Sequence, residues 1–185
     1  MSESTNETRT ERITLATVWL DGCSGCHMSL LDMDERLIEL SSQFRLVYSP
    51  LVDCKIFPET VDVTLVEGAV ASEDDLKKIR KIRQHSRILV SLGDCALTGN
   101  VSAMRNACGP QPVLLRVYQQ NADLQKQVPT VGVPALLDRV RPVHEVVPVD
   151  VFVPGCPPSA NTIYQVLSEL LAGRIPTLEG IAHFG

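Results

Sequence analysis

Residues 15–37 limit the fold more than any other stretch. Leu15-Ala16-Thr17-Val18-Trp19-Leu20 is a short, partly β-branched apolar run, closed by Asp21-Gly22. That pattern predicts a buried strand. Beyond it, Leu30, Met33, Leu37 and Ile38 recur at helical spacing and predict an amphipathic helix. Cys23 and Cys26 therefore fall in the turn between a strand and a helix. Gly22 and Gly25 let the backbone bend there, and a helix N-terminus favours a thiolate. Such a turn suits a group that is negative, oxidisable or metallic.

The rest of the chain repeats the alternation. Apolar runs at 44–49, 61–66, 86–92 and 146–153 predict four more strands. Ser72 with Glu73, Asp74 and Asp75 predicts a helix start, continued by Leu76, Ile79 and Ile82. Ser159 caps a last helix through Ile163, Val166, Leu167 and Leu170, and Gly173 stops it. Between these, residues 98–106 and 112–126 predict short helices, 128–134 a loop, and 136–140 another helical piece. Strands that read as continuous apolar runs, alternating with helices, imply a parallel sheet covered on both faces. The expected fold is α/β, a flavodoxin-like doubly wound five-stranded parallel sheet in the order 2-1-3-4-5. Residues 1–11 predict a disordered polar tail and 12–185 a single domain, whose last residues are free to extend onto a partner.

In an open parallel sheet, ligands bind beyond the carboxyl ends of the strands. Cys23 and Cys26 follow the first predicted strand, Cys95 the fourth and Cys156 the fifth, each with a glycine close by. Four thiols on one rim suit either a tetrahedral zinc or an iron–sulfur cluster. One C-x-x-C followed by two distant single cysteines departs from the paired C-x-x-C of a zinc ribbon, which favours iron–sulfur. A C-x-x-C after a strand is also the thioredoxin arrangement, but Cys95 and Cys156 argue against it. Cys54 follows the second strand without a neighbouring glycine, and Cys108 lies in the irregular region. Both are expected to pack as small apolar residues.

Six cysteines in a chain without an apolar leader fit metal ligands or catalytic thiols better than a disulfide framework. The N-terminus lacks a secretory h-region, and Arg9-Thr10-Glu11-Arg12 is no twin-arginine signal, so a cytoplasmic location is expected. A net charge of −5 argues against general nucleic-acid or anionic-membrane binding. No apolar run approaches the ~20 residues that span a bilayer. Glu67 ends the third strand and is placed either to carry protons or tune a cluster, or to cap a helix or meet solvent. His27 is expected to face solvent, with a cluster sulfur or a partner chain as its other prospect. Trp19, Met28 and Met33 are expected in the core.

Four motifs in order then carry a resemblance. Leu20-Asp21-Gly22-Cys23-Ser24-Gly25-Cys26-His27-Met28-Ser29, Val66-Glu67-Gly68-Ala69, Gly93-Asp94-Cys95-Ala96 and Pro154-Gly155-Cys156-Pro157-Pro158 closely resemble the small subunit of nickel–iron hydrogenases. The nearest likeness is to the cytoplasmic, bidirectional NAD-linked type. The wider family includes the cluster-bearing subunit of respiratory complex I, which has adjacent cysteines where this chain has C-x-x-C. The resemblance implies a proximal 4Fe–4S cluster held by Cys23, Cys26, Cys95 and Cys156. It implies an obligate heterodimer with a large subunit that holds the nickel–iron centre, and further iron–sulfur and flavin diaphorase subunits that reach NAD. It leaves open an additional FMN on this chain. Membrane-bound members carry a C-terminal extension with two more clusters, whereas this sequence has no cysteine after Cys156. Other readings are the cluster-bearing subunit of a complex I-like or sulfur-reducing oxidoreductase, and a zinc-bearing or thioredoxin-like scaffold.

Overall fold

The computed structural model describes residues 12–185. The predicted N-terminal tail, 1–11, lies outside the described residues. In chain order the elements are β1 (Ile13–Trp19), α1 (Gly25–Leu31), α2 (Glu35–Ser41), β2 (Phe44–Tyr48), β3 (Val61–Glu67), β4 (Val70–Ser72), α3 (Glu73–His85), β5 (Ser86–Leu92), α4 (Asp94–Thr98), α5 (Pro110–Leu115), β6 (Leu136–Arg141), β7 (Val151–Val153) and α6 (Ala160–Leu171). The five predicted strands pair in parallel, in the order β2-β1-β3-β5-β7. That is the flavodoxin-like order expected from the sequence.

The central strands are apolar on both sides because both sides are covered. Leu15, Leu65 and Leu92 meet Leu30, Met33, Ile163 and Leu167 on one face. Val18, Val66 and Leu89 meet Ile79, Ile82, Leu97 and Val147 on the other. Each such side chain contributes roughly 1.5–3 kcal/mol through burial. α3 begins where its composition indicates: Ser72 Oγ accepts from the Asp75 N–H at 3.1 Å while the Asp75 carboxylate accepts from the Ser72 N–H at 3.0 Å. This reciprocal cap satisfies two helix-end donors. Ser72→Ala is expected to lower stability by about 1 kcal/mol, read as a shift in the denaturation midpoint at unchanged slope.

Several predicted elements differ in the structure. The first helix is two helices, interrupted at Asp34, whose φ is +50°. The break re-aims the second helix so that Leu40 meets the core, while Ile38 is 73% exposed. The fifth strand is confined to Val151–Val153, after a 3-10 turn at Val143–Glu145. Pro148 has no N–H to give to a ladder. Residues 98–106 form the end of α4 and a 3-10 segment, Asn100–Ala107. The next predicted helix, 112–126, is α-helical only at its start, within Pro110–Leu115, and Arg116–Gln120 forms a π turn. Residues 136–141 are not helical but a strand, β6, antiparallel to β4. Two side chains from the 3-10 segment fasten it: Arg105 donates to the carbonyls of Leu137 and Ala71, and Asn106 pairs with both the N–H and the C=O of Val140. Among the described residues no helix is long and apolar enough to cross a membrane.

Candidate cofactor site at the strand ends

Two pairs of loops, each knit by backbone bonds, make the carboxyl rim of the sheet. After β1 and β3, Leu20 N–H donates to Glu67 O at 2.9 Å, and Asp21 and Ala69 exchange N–H···O bonds. The chains cross at two glycines. A Cβ on Gly22 would stand 3.1 Å from the Gly68 Cα, and Gly68 has φ +90°. After β5 and β7, Gly93 N–H donates to Val153 O at 2.8 Å and Asp94 N–H to Gly155 O at 2.9 Å. The buried Asp94 carboxylate accepts the Gly155 N–H at 2.7 Å and the Gly185 N–H at 3.0 Å. The first pair carries Cys23 and Cys26, the second Cys95 and Cys156. α1 joins the two, because Ser29 Oγ donates to Pro158 O and Cys26 Sγ rests on the bare Cα of Gly93.

The four thiols share one neighbourhood but differ in exposure. Cys26 is 7% exposed, Cys95 is half-buried, and Cys23 and Cys156 face solvent. Burial raises the Cys26 thiol far above its ordinary range, and the charges of Glu67, Cys95, Cys23 and Cys156 add to the rise. Burial also raises Cys95, with Cys156 and Cys23 adding, against a lowering by the backbone hydrogen bond from Val101. A cation bound at these sulfurs would favour the thiolate form that burial disfavours at Cys26. Three sulfurs already have N–H donors: Gly25 to Cys23 at 3.4 Å, Asn100 Nδ2 to Cys156 at 3.4 Å, and the Val101 main chain to Cys95.

These features fit a metal–sulfur group. The donors are all thiols, amides face the sulfurs, and the glycine at 93 leaves room that a side chain would fill. Among the described residues, no three His, Cys, Asp or Glu side chains gather round a position for a single ion.

Glu67 and His27 lie beneath the C-x-x-C turn. Both are buried, at 2% and 4% exposure, so His27 does not face solvent as expected from its place in a first turn. Glu67 Oε2 accepts the His27 main-chain N–H at 2.9 Å and is bonded to Nδ1 of its ring. Nε2 is buried without a partner. One carboxylate thus satisfies a free N–H in the first turn of α1 and fixes the ring beside it. The sequence puts both residues near the rim but carries no sign of their pairing, since forty positions separate them.

Other expectations fail at this end of the molecule. Trp19 is 43% and Met28 53% exposed, whereas Met33 is buried as expected. Cys54 and Cys108 are exposed rather than packed, each with its thiol on a nearby carbonyl. A polar cleft of about 1020 Å³ opens at the opposite, amino end of the strands, lined among others by Arg45, Asp62 and Arg87. It shares nothing with the thiols.

The likeness of a chain with this geometry to known proteins is specific. Residues 23–170 match the family model described as NADH ubiquinone oxidoreductase, 20 Kd subunit. The chain is 40% identical to the NAD-reducing hydrogenase HoxS subunit delta of Cupriavidus necator, over 90% of this chain and 82% of that protein. It is 37% identical to a subunit of the F420-non-reducing hydrogenase vhu of Methanocaldococcus jannaschii, over 90% of this chain but only 60% of that one. A crystal structure of an NAD+-reducing NiFe hydrogenase in the H2-reduced state superposes with a TM-score of 0.90 at 37% identity, covering 95% of this chain and 100% of the other. A NiFeSe hydrogenase from Desulfovibrio vulgaris Hildenborough, at TM-score 0.59 and 16% identity over 89% of this chain and 61% of the other, shares the fold.

Proposed function

The chain belongs to the family of the NADH ubiquinone oxidoreductase 20 Kd subunit, and from that premise we propose that it is the electron-transfer small subunit of a cytoplasmic, NAD-linked nickel–iron hydrogenase. The observation that carries this is the convergence of Cys23, Cys26, Cys95 and Cys156 on one rim, three of them already facing N–H donors. These four residues would hold one 4Fe–4S cluster, which when bound supplies one-electron carriage between a nickel–iron centre on a large subunit and the iron–sulfur and flavin subunits that reach NAD. Residues 12–185 act as one flavodoxin-like unit in that assembly.

The chain's own residues position and shield. The buried Cys26 and half-buried Cys95 anchor the inner side, while Glu67 holds the α1 end that carries Cys26. Cys23 and Cys156 stay exposed, so the outer side needs a cover. Trp19, Met28, Val101 and Met104 are exposed apolar residues of the elements at this end, as an interface with a large subunit requires. Without that cover the subunit is expected to be sticky.

Anaerobic purification with whatever accompanies the chain, followed by iron, sulfide, nickel and zinc analysis, tests the proposal. Iron and sulfide near four per chain, with nickel following a larger partner, support it. Zinc alone on a colourless monomer refutes it. Cys95→Ser is expected to lose or convert the cluster, seen as missing iron or an altered electron paramagnetic resonance spectrum. A complete 4Fe–4S cluster with unchanged electron transfer in that variant refutes the ligand set.

A further inference from the structure

The thiols are not supplied with hydrogen-bond donors alike. Cys23 and Cys95 receive main-chain N–H groups, from Gly25 and Val101, that no substitution short of proline removes. Cys26 is buried with no such donor among the described residues. Cys156 takes its donor from a side chain, the amide of Asn100.

Local structure explains why that amide reaches across. α4 closes at Gly99, whose φ is +84°, and Asn100 follows at φ +33°. Two successive residues of positive φ turn the chain at the end of α4, and asparagine tolerates that region better than other side-chain-bearing residues. The Asn100 main-chain N–H goes to Thr98 Oγ1 at 3.3 Å. Its side-chain amide has no partner among the described residues other than Cys156 Sγ, at 3.4 Å. The backbone turn is thus held by groups other than the amide. The amide is left for the sulfur.

We propose that Asn100 is a positioning residue that raises the reduction potential of the cluster by donating its amide hydrogen to Cys156 Sγ. This rests on Cys156 being a cluster ligand, as proposed above. An N–H dipole aimed at a coordinating sulfur stabilises the state with more negative charge, which is the reduced one. In each passage one electron enters from one partner carrier and leaves to the next. No bond at Asn100 is made or broken, and its proton stays on nitrogen.

The test uses the assembled complex, purified anaerobically, with a redox titration followed by electron paramagnetic resonance. Asn100→Gly deletes the amide and suits the left-handed backbone, so it adds no strain. It is expected to keep iron and sulfide at the wild-type content and to lower the midpoint. The one-electron equilibrium should shift by up to about tenfold toward the oxidised state, and tenfold is 59 mV for a one-electron couple. Asn100→Asp, which sets a charged acceptor against the sulfur, is expected to shift it further in the same direction. A wild-type midpoint in both loaded variants overturns the proposal. Loss of the cluster from both overturns it as well, because the amide then holds the site together rather than tuning it. A wild-type complex with zinc and no iron removes the cluster itself, whereas a loaded wild type with unmoved variants removes only the role of Asn100.

Discussion

Iron and sulfide are expected to fall to background in Gly93→Ala. Gly93 sits at φ +82° and ψ 159° at the end of β5, a region that residues with a side chain enter at a cost of order 1–3 kcal/mol. The larger effect is steric. An alanine Cβ would stand 2.2 Å from Cys26 Sγ and 3.4 Å from the Gly155 carbonyl oxygen, so the thiol must leave its place. Cys26 is the most enclosed of the four sulfurs and has nowhere inward to go, since Leu30, Leu65 and Leu92 fill the core around it. Metal analysis of the anaerobically purified complex reads the loss. Gly173→Ala supplies the control, because Gly173 has a similar φ of +74° but open space around it. It is expected to cost about 1 kcal/mol and to keep its iron. Full iron in Gly93→Ala would contradict the packing described.

The second large effect is on stability. Glu67→Ala strips the buried His27 of its acceptor and leaves two of its polar groups unpaired beside a third that already is. The His27 main-chain N–H loses its 2.9 Å bond, its ring loses the partner at Nδ1, and Nε2 already has none among the described residues. Removing one member of a buried, hydrogen-bonded pair costs roughly 3–5 kcal/mol when the pair is charged, and about 1–3 kcal/mol for each unsatisfied neutral group. Glu67→Gln keeps one amide oxygen that can take the place of Oε2 and accept both the main-chain N–H and an Nδ1–H of the ring, so it is expected to recover most of the loss. Thermal unfolding of the assembled complex orders the three proteins. Equal midpoints for wild type and Glu67→Ala would mean that the pair holds nothing.

How far the sequence foretells this structure depends on what decides each element. β1, β3 and β5 are legible because both faces of the sheet are covered, which makes most of their positions apolar and the run plain. Cys23, Cys26, Cys95 and Cys156 are legible as a group because a parallel sheet sends every strand end to one rim. β6 is not legible. Leu136 to Arg141 has only Val140 fully buried, and it becomes a strand because β4, Arg105 and Asn106 bind it. Trp19 and Met28 mislead for a different reason: an apolar residue that stays at the surface looks, in sequence, the same as one that finds cover within its own chain. His27 misleads because its environment is set by Glu67, remote in sequence and silent about its partner. Asn100 gives no sequence signal at all, since its task follows from a turn of backbone rather than from a pattern.

The place of β7 in the sheet sets where the rim of thiols is most easily opened. β7 is an edge strand of three residues, held by β5 alone within the sheet, and it delivers Cys156. The other three thiols follow the better-paired interior strands β1 and β5. A short edge pairing opens at a lower free energy than the interior of a sheet. Hydrogen exchange is therefore expected to find weaker amide protection at β7 than at β1, β3 and β5. Of the four thiols, Cys156 is the one most easily parted from the rest.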